Sequence, residues 1–276
     1  MKLPVSNTPS LFDRQVLTRH RARAKDEALF LHRAAVDEVQ DRLSMVNRTF
    51  TAPAIVTPFA HIWQDALPGA TLVADEETLA LTPGAHDLVV HAMALHWAND
   101  PVGQLIQCHR ALRPDGLLLT VCLGGETLHQ LRAALGQAEI EVTGGLSPRI
   151  APMGELRDLG ALLQRVGLAL PVADAVPMTA EYRDLTHLMQ DLRAMAETNV
   201  LTNRLKTPTR RKVFERAQSI YAEHFATPQG RLPATFELIC LTGWSPDDSQ
   251  PKPLRPGSAR MRLAEALGTD EGKLSD

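Results

Sequence analysis

The clearest pattern of apolar and polar positions runs from His86 to Gly125. Asp87 opens the apolar run Leu88, Val89, Val90, and Asn99, Asp100 and Pro101 then start a segment with Leu105, Ile106 and Leu112 at near-helical spacing. Asp100 suits an N-cap, and proline suits the first helical position, where its missing N–H costs nothing. Pro114, Asp115 and Gly116 predict a turn before the nearly unbroken apolar run from Leu117 to Leu123. Continuous apolar runs mark strands covered on both faces. The segment therefore predicts a right-handed βαβ unit.

The rest of the chain is read the same way. Val16, Leu17, Ala24, Ala28, Leu31, Ala35, Val39 and Leu43 form a stripe without Gly or Pro, which predicts helix over residues 11–46. Ala54, Ile55, Val56 and Thr57 predict a short buried strand, followed by a helix over 59–66 and a strand over 70–73. Further helices are expected over 124–142, 154–166, 183–198 and 209–226. A strand over 168–176 contains Pro171 and so belongs at an edge. The last strand is expected over 234–244. The segments are an N-terminal helical part (1–48), an α/β core (49–182), a helical insert (183–232), the last core strand (233–244) and a tail (245–276). Four prolines between 246 and 256 make the tail irregular, Lys252, Arg255 and Arg260 make it basic, and a short helix is expected over 259–267.

Composition narrows the functional classes. With 29 basic and 32 acidic residues the net charge is −3, which argues against a nucleic-acid partner. No apolar run approaches the ~18 residues of a transmembrane helix, and no signal-peptide core follows Lys2. Cys108, Cys122 and Cys240 lie far apart, so the expectation is three reduced thiols in a cytoplasmic protein rather than disulfides or a cysteine zinc site. Arg14, Arg19, Arg21, Arg23 and Lys25 cluster near Asp26 and Glu27; a solvated face is the simpler reading, a docking edge for an acidic partner the other.

Several stretches together resemble a known family. Asp87–Val90 and Leu112–Leu119 resemble the fourth and fifth strands of class I S-adenosylmethionine (SAM) dependent methyltransferases. Leu11 to Arg14, His96 to Asp100, Gly124 to Leu128, Gly144 to Pro148 and Pro251 to Ser258 resemble the mitochondrial complex I assembly factor 5 family and its bacterial relatives. These are neighbours of the malonyl-carrier-protein methyltransferases of biotin synthesis. The resemblance implies a Rossmann-like α/β sheet, SAM as cofactor and protein substrates. For the mitochondrial relatives it implies arginine hydroxylation on an iron–sulfur subunit of complex I.

Against that background, the end of the first strand is unusual. A SAM enzyme places a G-x-G-type loop there, because only glycine lets the backbone turn sharply beside the cofactor. Here the strand runs into Pro58, Phe59, Ala60, His61, Ile62 and Trp63, and nowhere are two glycines separated by a single residue. Only 19 residues separate Val56 from Asp75. A βαβ unit takes about 30. One helix and one strand fit, so the sheet is expected to be shortened by one βα unit in its N-terminal half.

The candidate residues follow from resemblance and topology. Asp75 stands where the superfamily's adenine-contacting carboxylate stands, with a turn or cap as the plainer reading; Asp65 is a weaker ribose candidate. His96 and Trp97 follow a strand end, where ligands of open α/β sheets collect. Asp75, His96 and Trp97 are the cofactor-binding candidates, and His96 and Glu126 the catalytic ones. Gly124 and Gly125 offer main-chain amides to an anion, and Arg149 offers a guanidinium. His86, His91, His96 and His109 lack a shared helical face, so no metal site is expected. Two functions stay open: a SAM-family enzyme acting on a protein such as a complex I subunit, and a non-catalytic assembly scaffold on the same fold. A different small ligand in a remodelled pocket is a third possibility.

Overall fold

The computed structural model describes residues 10–251 and, beyond them, 265, 268 and 269. Lys252, Arg255, Arg260 and nearly all of the helix expected over 259–267 lie outside the described residues. The chain divides into two units, Met1–Pro246 and Asp247–Asp276. In the second, the Ser249 N–H and hydroxyl both donate to the Asp247 carboxylate, at 2.9 and 2.6 Å.

Six strands form one sheet in the first unit: β1 (Pro53–Val56), β2 (Thr71–Val73), β3 (His86–Ala92), β4 (Leu112–Leu123), β5 (Ala169–Tyr182) and β6 (Leu232–Trp244). Their order is β2-β1-β3-β4-β6-β5. The first four run parallel, and β6 lies antiparallel between β4 and β5. Only a four-residue helix, Ala60–Trp63, separates β1 from β2 in the chain, and β2 forms the outer edge. This is the Rossmann-like sheet with its N-terminal half cut short, as the spacing between Val56 and Asp75 predicts.

Helices cover both faces. In chain order the α-helices among the described residues are α1 (Arg14–Arg21), α2 (Phe30–Met45), α3 (the short Ala60–Trp63 helix just described), α4 (Pro101–Ala111), α5 (His129–Thr143), α6 (Leu156–Arg165), α7 (Leu185–Ala194) and α8 (Arg211–Phe225). Side chains alternate along the strands with a period of two, so Ile55, Leu88, Val90, Leu117 and Leu119 face the layer of α2, α5, α7 and α8. Ala54, Val56, Val89 and Leu118 face α4 and α6. Asp100 caps α4 through Gly103 N–H at 2.8 Å, with Pro101 next, as its sequence indicates.

Four elements depart from expectation. The turn expected at Pro114, Asp115 and Gly116 lies inside β4, where the register against β3 shifts. The stripe over 11–46 is two helices, because the chain turns at Ala22–Leu29, where Lys25 N–H donates to Ala194 carbonyl at 2.8 Å. The helix expected from 124 starts at His129, after Leu128 at φ +55°. β5 extends to Tyr182, carrying Pro171 and Pro177 along the sheet's outer side.

Candidate functional site

Ligands of open α/β sheets bind beyond the carboxyl ends of the parallel strands. Three segments meet there. One follows β2 and carries Asp75, one follows β3 and carries His96 and Trp97, and one follows α7 and carries Glu197. The N-terminal segment crosses over them. Phe12 stacks edge-on against Trp97 with ring centroids 5.2 Å apart, and the Phe12 amide and carbonyl pair with the Asn99 side chain at 2.8 and 3.2 Å.

Asp75 is engaged from that crossing segment. Arg21 Nη1 donates to both carboxylate oxygens at 2.8 Å, and Arg14 Nη1 donates to Oδ2 at 3.2 Å. Arg14 Nη2 also donates to the Asp75 main-chain carbonyl. The carboxylate is 8% exposed, Arg21 12% and Arg14 21%. The solvated-face reading of the basic cluster is therefore corrected for these two residues: seven positions, about two helical turns, apart on α1, they share a buried acid. Arg19, Arg23 and Lys25 are exposed.

The end of β1 is equally closed. Thr57 N–H donates to Val73 carbonyl at 2.9 Å and Phe59 N–H to Thr57 Oγ1 at 3.3 Å, while Pro58 has no N–H to offer. Phe59 is buried and stacks against His32, and Trp63 is fully buried with its Nε1 donating to His32 Nδ1 at 3.4 Å. Burial pushes the His32 imidazole down to about 3, so the ring is neutral. Gly124 and Gly125 do not present amides to a ligand either. Their N–H groups donate to Glu237 and Gly154 carbonyls at 3.1 and 2.9 Å, and Glu126 N–H donates to Glu237 Oε2 at 2.7 Å. A carboxylate does sit at this turn, on the Glu126 amide, and the chain supplies it itself.

These residues do not fit SAM as the resemblance would have it held. The carboxylate offered to adenine is saturated by two guanidinium groups. The aromatic side chains after β1 occupy the core where a glycine loop would leave room. The amides after β4 are bonded internally.

His96 and Trp97 come together with Glu197 instead. Leu123 N–H donates to His96 Nδ1 at 3.3 Å, which puts the neutral ring's proton on Nε2. Nε2 lies 3.4 Å from Glu197 Oε2, a polar contact longer than a good hydrogen bond. Trp97 Nε1 donates to the same oxygen at 3.0 Å. Burial works to raise Glu197, but the neighbouring His96 and the charge of Arg21 outweigh it and hold the carboxyl below its usual range. Glu197 falls at the end of the helix expected over 183–198, and no periodicity singles it out; a carboxylate flanked by apolar Met195, Ala196 and Val200 is the one local signal.

Trp97 and Glu197 form part of the wall of a cavity of about 210 Å³. Leu128 just before α5, Leu131 and Leu135 of α5, Met189 and Leu192 of α7, and Phe236 of β6 supply most of the rest. No lining residue comes from β1 or from residues 57–63. Arg149 also lines it, yet its guanidinium is tied to Glu139 and to Thr209 Oγ1 at 3.0 Å. Glu126 stands apart, 71% exposed and 3.5 Å from His129. Asp65 is exposed on the loop before β2. His86, His91 and His109 are each bonded within the fold, and no group of three or more His, Cys, Asp or Glu among the described residues is arranged to hold a metal. Among the described residues, no helix is long and apolar enough to cross a membrane.

Residues 37–120 match the methyltransferase domain family. The mitochondrial arginine-hydroxylase NDUFAF5 of Danio rerio is 38% identical over 221 residues, covering 80% of this chain and 68% of that protein. A malonyl-[acyl-carrier protein] O-methyltransferase of Laribacter hongkongensis is 34% identical over 64% of this chain and 57% of its own length. Among solved structures, the YcgJ protein of Bacillus subtilis aligns with 78% of this chain and 100% of its own at 11% identity and a TM-score of 0.48. The curated relatives are thus matched over part of their length only. An identity of 38% across four-fifths of the chain nevertheless fixes the kinship: the protein belongs to the NDUFAF5 family of class I SAM-dependent methyltransferase relatives.

Proposed function

We propose that this chain is an assembly-type member of its family, which holds an arginine-bearing segment of a partner protein in the cavity beside Glu197 and does so without SAM. The observation that carries the reading is the double arginine clamp on Asp75. A carboxylate bonded by two guanidinium groups of its own chain has no lone pairs directed at an adenine, and displacing them would leave two desolvated cations unpaired. The cavity, by contrast, is formed, apolar and supplied with one ionised carboxylate. The name of the Danio rerio relative, an arginine-hydroxylase, supports an arginyl side chain as the occupant. The resemblance to complex I assembly factors makes a subunit of that complex the first partner to try. Under this reading His96 and Trp97 act by positioning Glu197, and Asp75 is structural.

A SAM-dependent enzyme acting on the same partner is the alternative; the retention of Asp75 in the family's segment favours it. Isothermal titration with SAM and with S-adenosylhomocysteine separates the two. The expected result is no binding tighter than about 0.1 mM, equivalent to roughly 5–6 kcal/mol. A tighter Kd for either compound restores the catalytic reading.

A further inference from the structure

Glu197 has two carboxylate oxygens in unequal circumstances. Oε2 takes the Trp97 indole N–H at 3.0 Å and faces His96 Nε2 at 3.4 Å. Among the described residues Oε1 has no such partner. The side chain is 12% exposed and lies in the wall of the cavity, so its remaining access is to that space. An ionised oxygen at the wall of an apolar cavity needs a donor, because a buried charge is tolerated only when paired and hydrogen-bonded. The volume of about 210 Å³ is many times that needed for a single water.

The pair that holds Oε2 is itself held. The His96 ring is fixed by the Leu123 amide, and Trp97 is braced by the edge of Phe12. Neither donor can follow a ligand into the cavity, so the carboxylate keeps one orientation. Of the cationic side chains in the lining, Arg149 is already paired with Glu139, and Arg193 is exposed. Neither of them is bonded to Glu197. A planar guanidinium on an aliphatic stem matches the arrangement, with parallel N–H donors for the carboxylate and methylenes for Leu128, Leu131 and Met189.

We infer that Glu197 is the specificity-determining residue of the cavity, its free oxygen receiving the guanidinium of the partner's arginine while His96 and Trp97 keep the carboxylate in place. This inference rests on the proposed function, since it presupposes that an arginyl side chain enters the cavity.

The test uses the full chain and N-acetyl-arginine methylamide as probe, followed by Trp fluorescence and calorimetry, with the citrulline analogue as the uncharged isostere. The expected result is saturable binding of the arginine probe, at least tenfold weaker binding of the citrulline probe, and a loss of tenfold or more in Glu197→Gln. Glu197→Asp, which keeps the charge, should fall between. Arginine binding unchanged in a folded Glu197→Gln variant overturns the inference and leaves the cavity reading intact. No arginine binding to the wild-type chain overturns both. Equal affinity for the arginine and citrulline probes overturns the inference even if both variants fail to fold. The SAM titration stands apart from all these outcomes.

Discussion

Replacing Asp75 by asparagine preserves its shape and removes its charge. In the native chain this carboxylate neutralises Arg14 and Arg21, with exposures of 8%, 21% and 12% for the three side chains. Asparagine leaves two poorly solvated guanidinium groups facing an amide. Removing one partner of a buried pair costs about 3–5 kcal/mol. The partial exposure of Arg14 lets it recover some hydration, which puts the loss near the lower end, about 3 kcal/mol. Arg14→Gln is milder, because Arg21 still spans both oxygens; of the two hydrogen bonds from Arg14 to Asp75, a glutamine amide can replace the one to the carbonyl, and losing the charged one to the carboxylate is worth about 1.5 kcal/mol. For a domain of this size each kcal/mol moves Tm by about 2–4 °C. Asp75→Asn should therefore melt about 6–12 °C below the wild type, and Arg14→Gln about 3–6 °C below. Scanning calorimetry reads both, and urea unfolding checks that the order is the same. In the double variant the losses should add to less than their sum, because both substitutions break one network. An Asp75→Asn protein melting within about 2 °C of the wild type would refute the claim that this ion cluster anchors the N-terminal segment.

Two further outcomes are expected. Gly125→Ala puts a Cβ against the Glu237 carboxylate at a residue with φ +51°, so it should cost about 1–3 kcal/mol in urea unfolding; stability equal to wild type would contradict the place of Glu237 beside this turn. Glu139 is pushed up by burial but more than offset by Arg149 and Ser147, which hold its carboxyl near 2. A depressed carboxyl stabilises the fold fully above its unfolded value of 4.5 and loses that contribution as pH falls towards 2. The stability difference between wild type and Glu139→Gln should therefore shrink between those pH values, and a pH-independent difference would contradict the pairing.

The local patterns carried the frame of the fold. The run through Asp87, Asp100 and Leu117–Leu123 announces β3, α4 and β4, because caps, turns and continuous apolar strands are written within a few residues. The 19-residue interval between Val56 and Asp75 announces the shortened half. The site was less legible, because its pairings are distant in the chain. Arg14 and Arg21 reach Asp75 across 61 and 54 positions, and Trp97 meets Glu197 across 100. Arg14 looks like Arg19 in sequence; only the packing of α1 decides which is buried. Gly124 and Gly125 invite an anion, and nothing near them shows that main-chain carbonyls take their amides while the Glu237 carboxylate, over 100 positions later, takes that of Glu126.

The fastening of the N-terminal segment also sets an order of events during synthesis. Asp13 is bonded to Arg204, 191 residues further along. At about 5–20 residues per second the ribosome needs roughly 10–40 s to make that stretch. Phe12, Val16 and Leu17 are made well before Val200 and Leu201, against which they pack. For that interval a nascent chain carries an uncovered apolar stretch, a natural foothold for a chaperone.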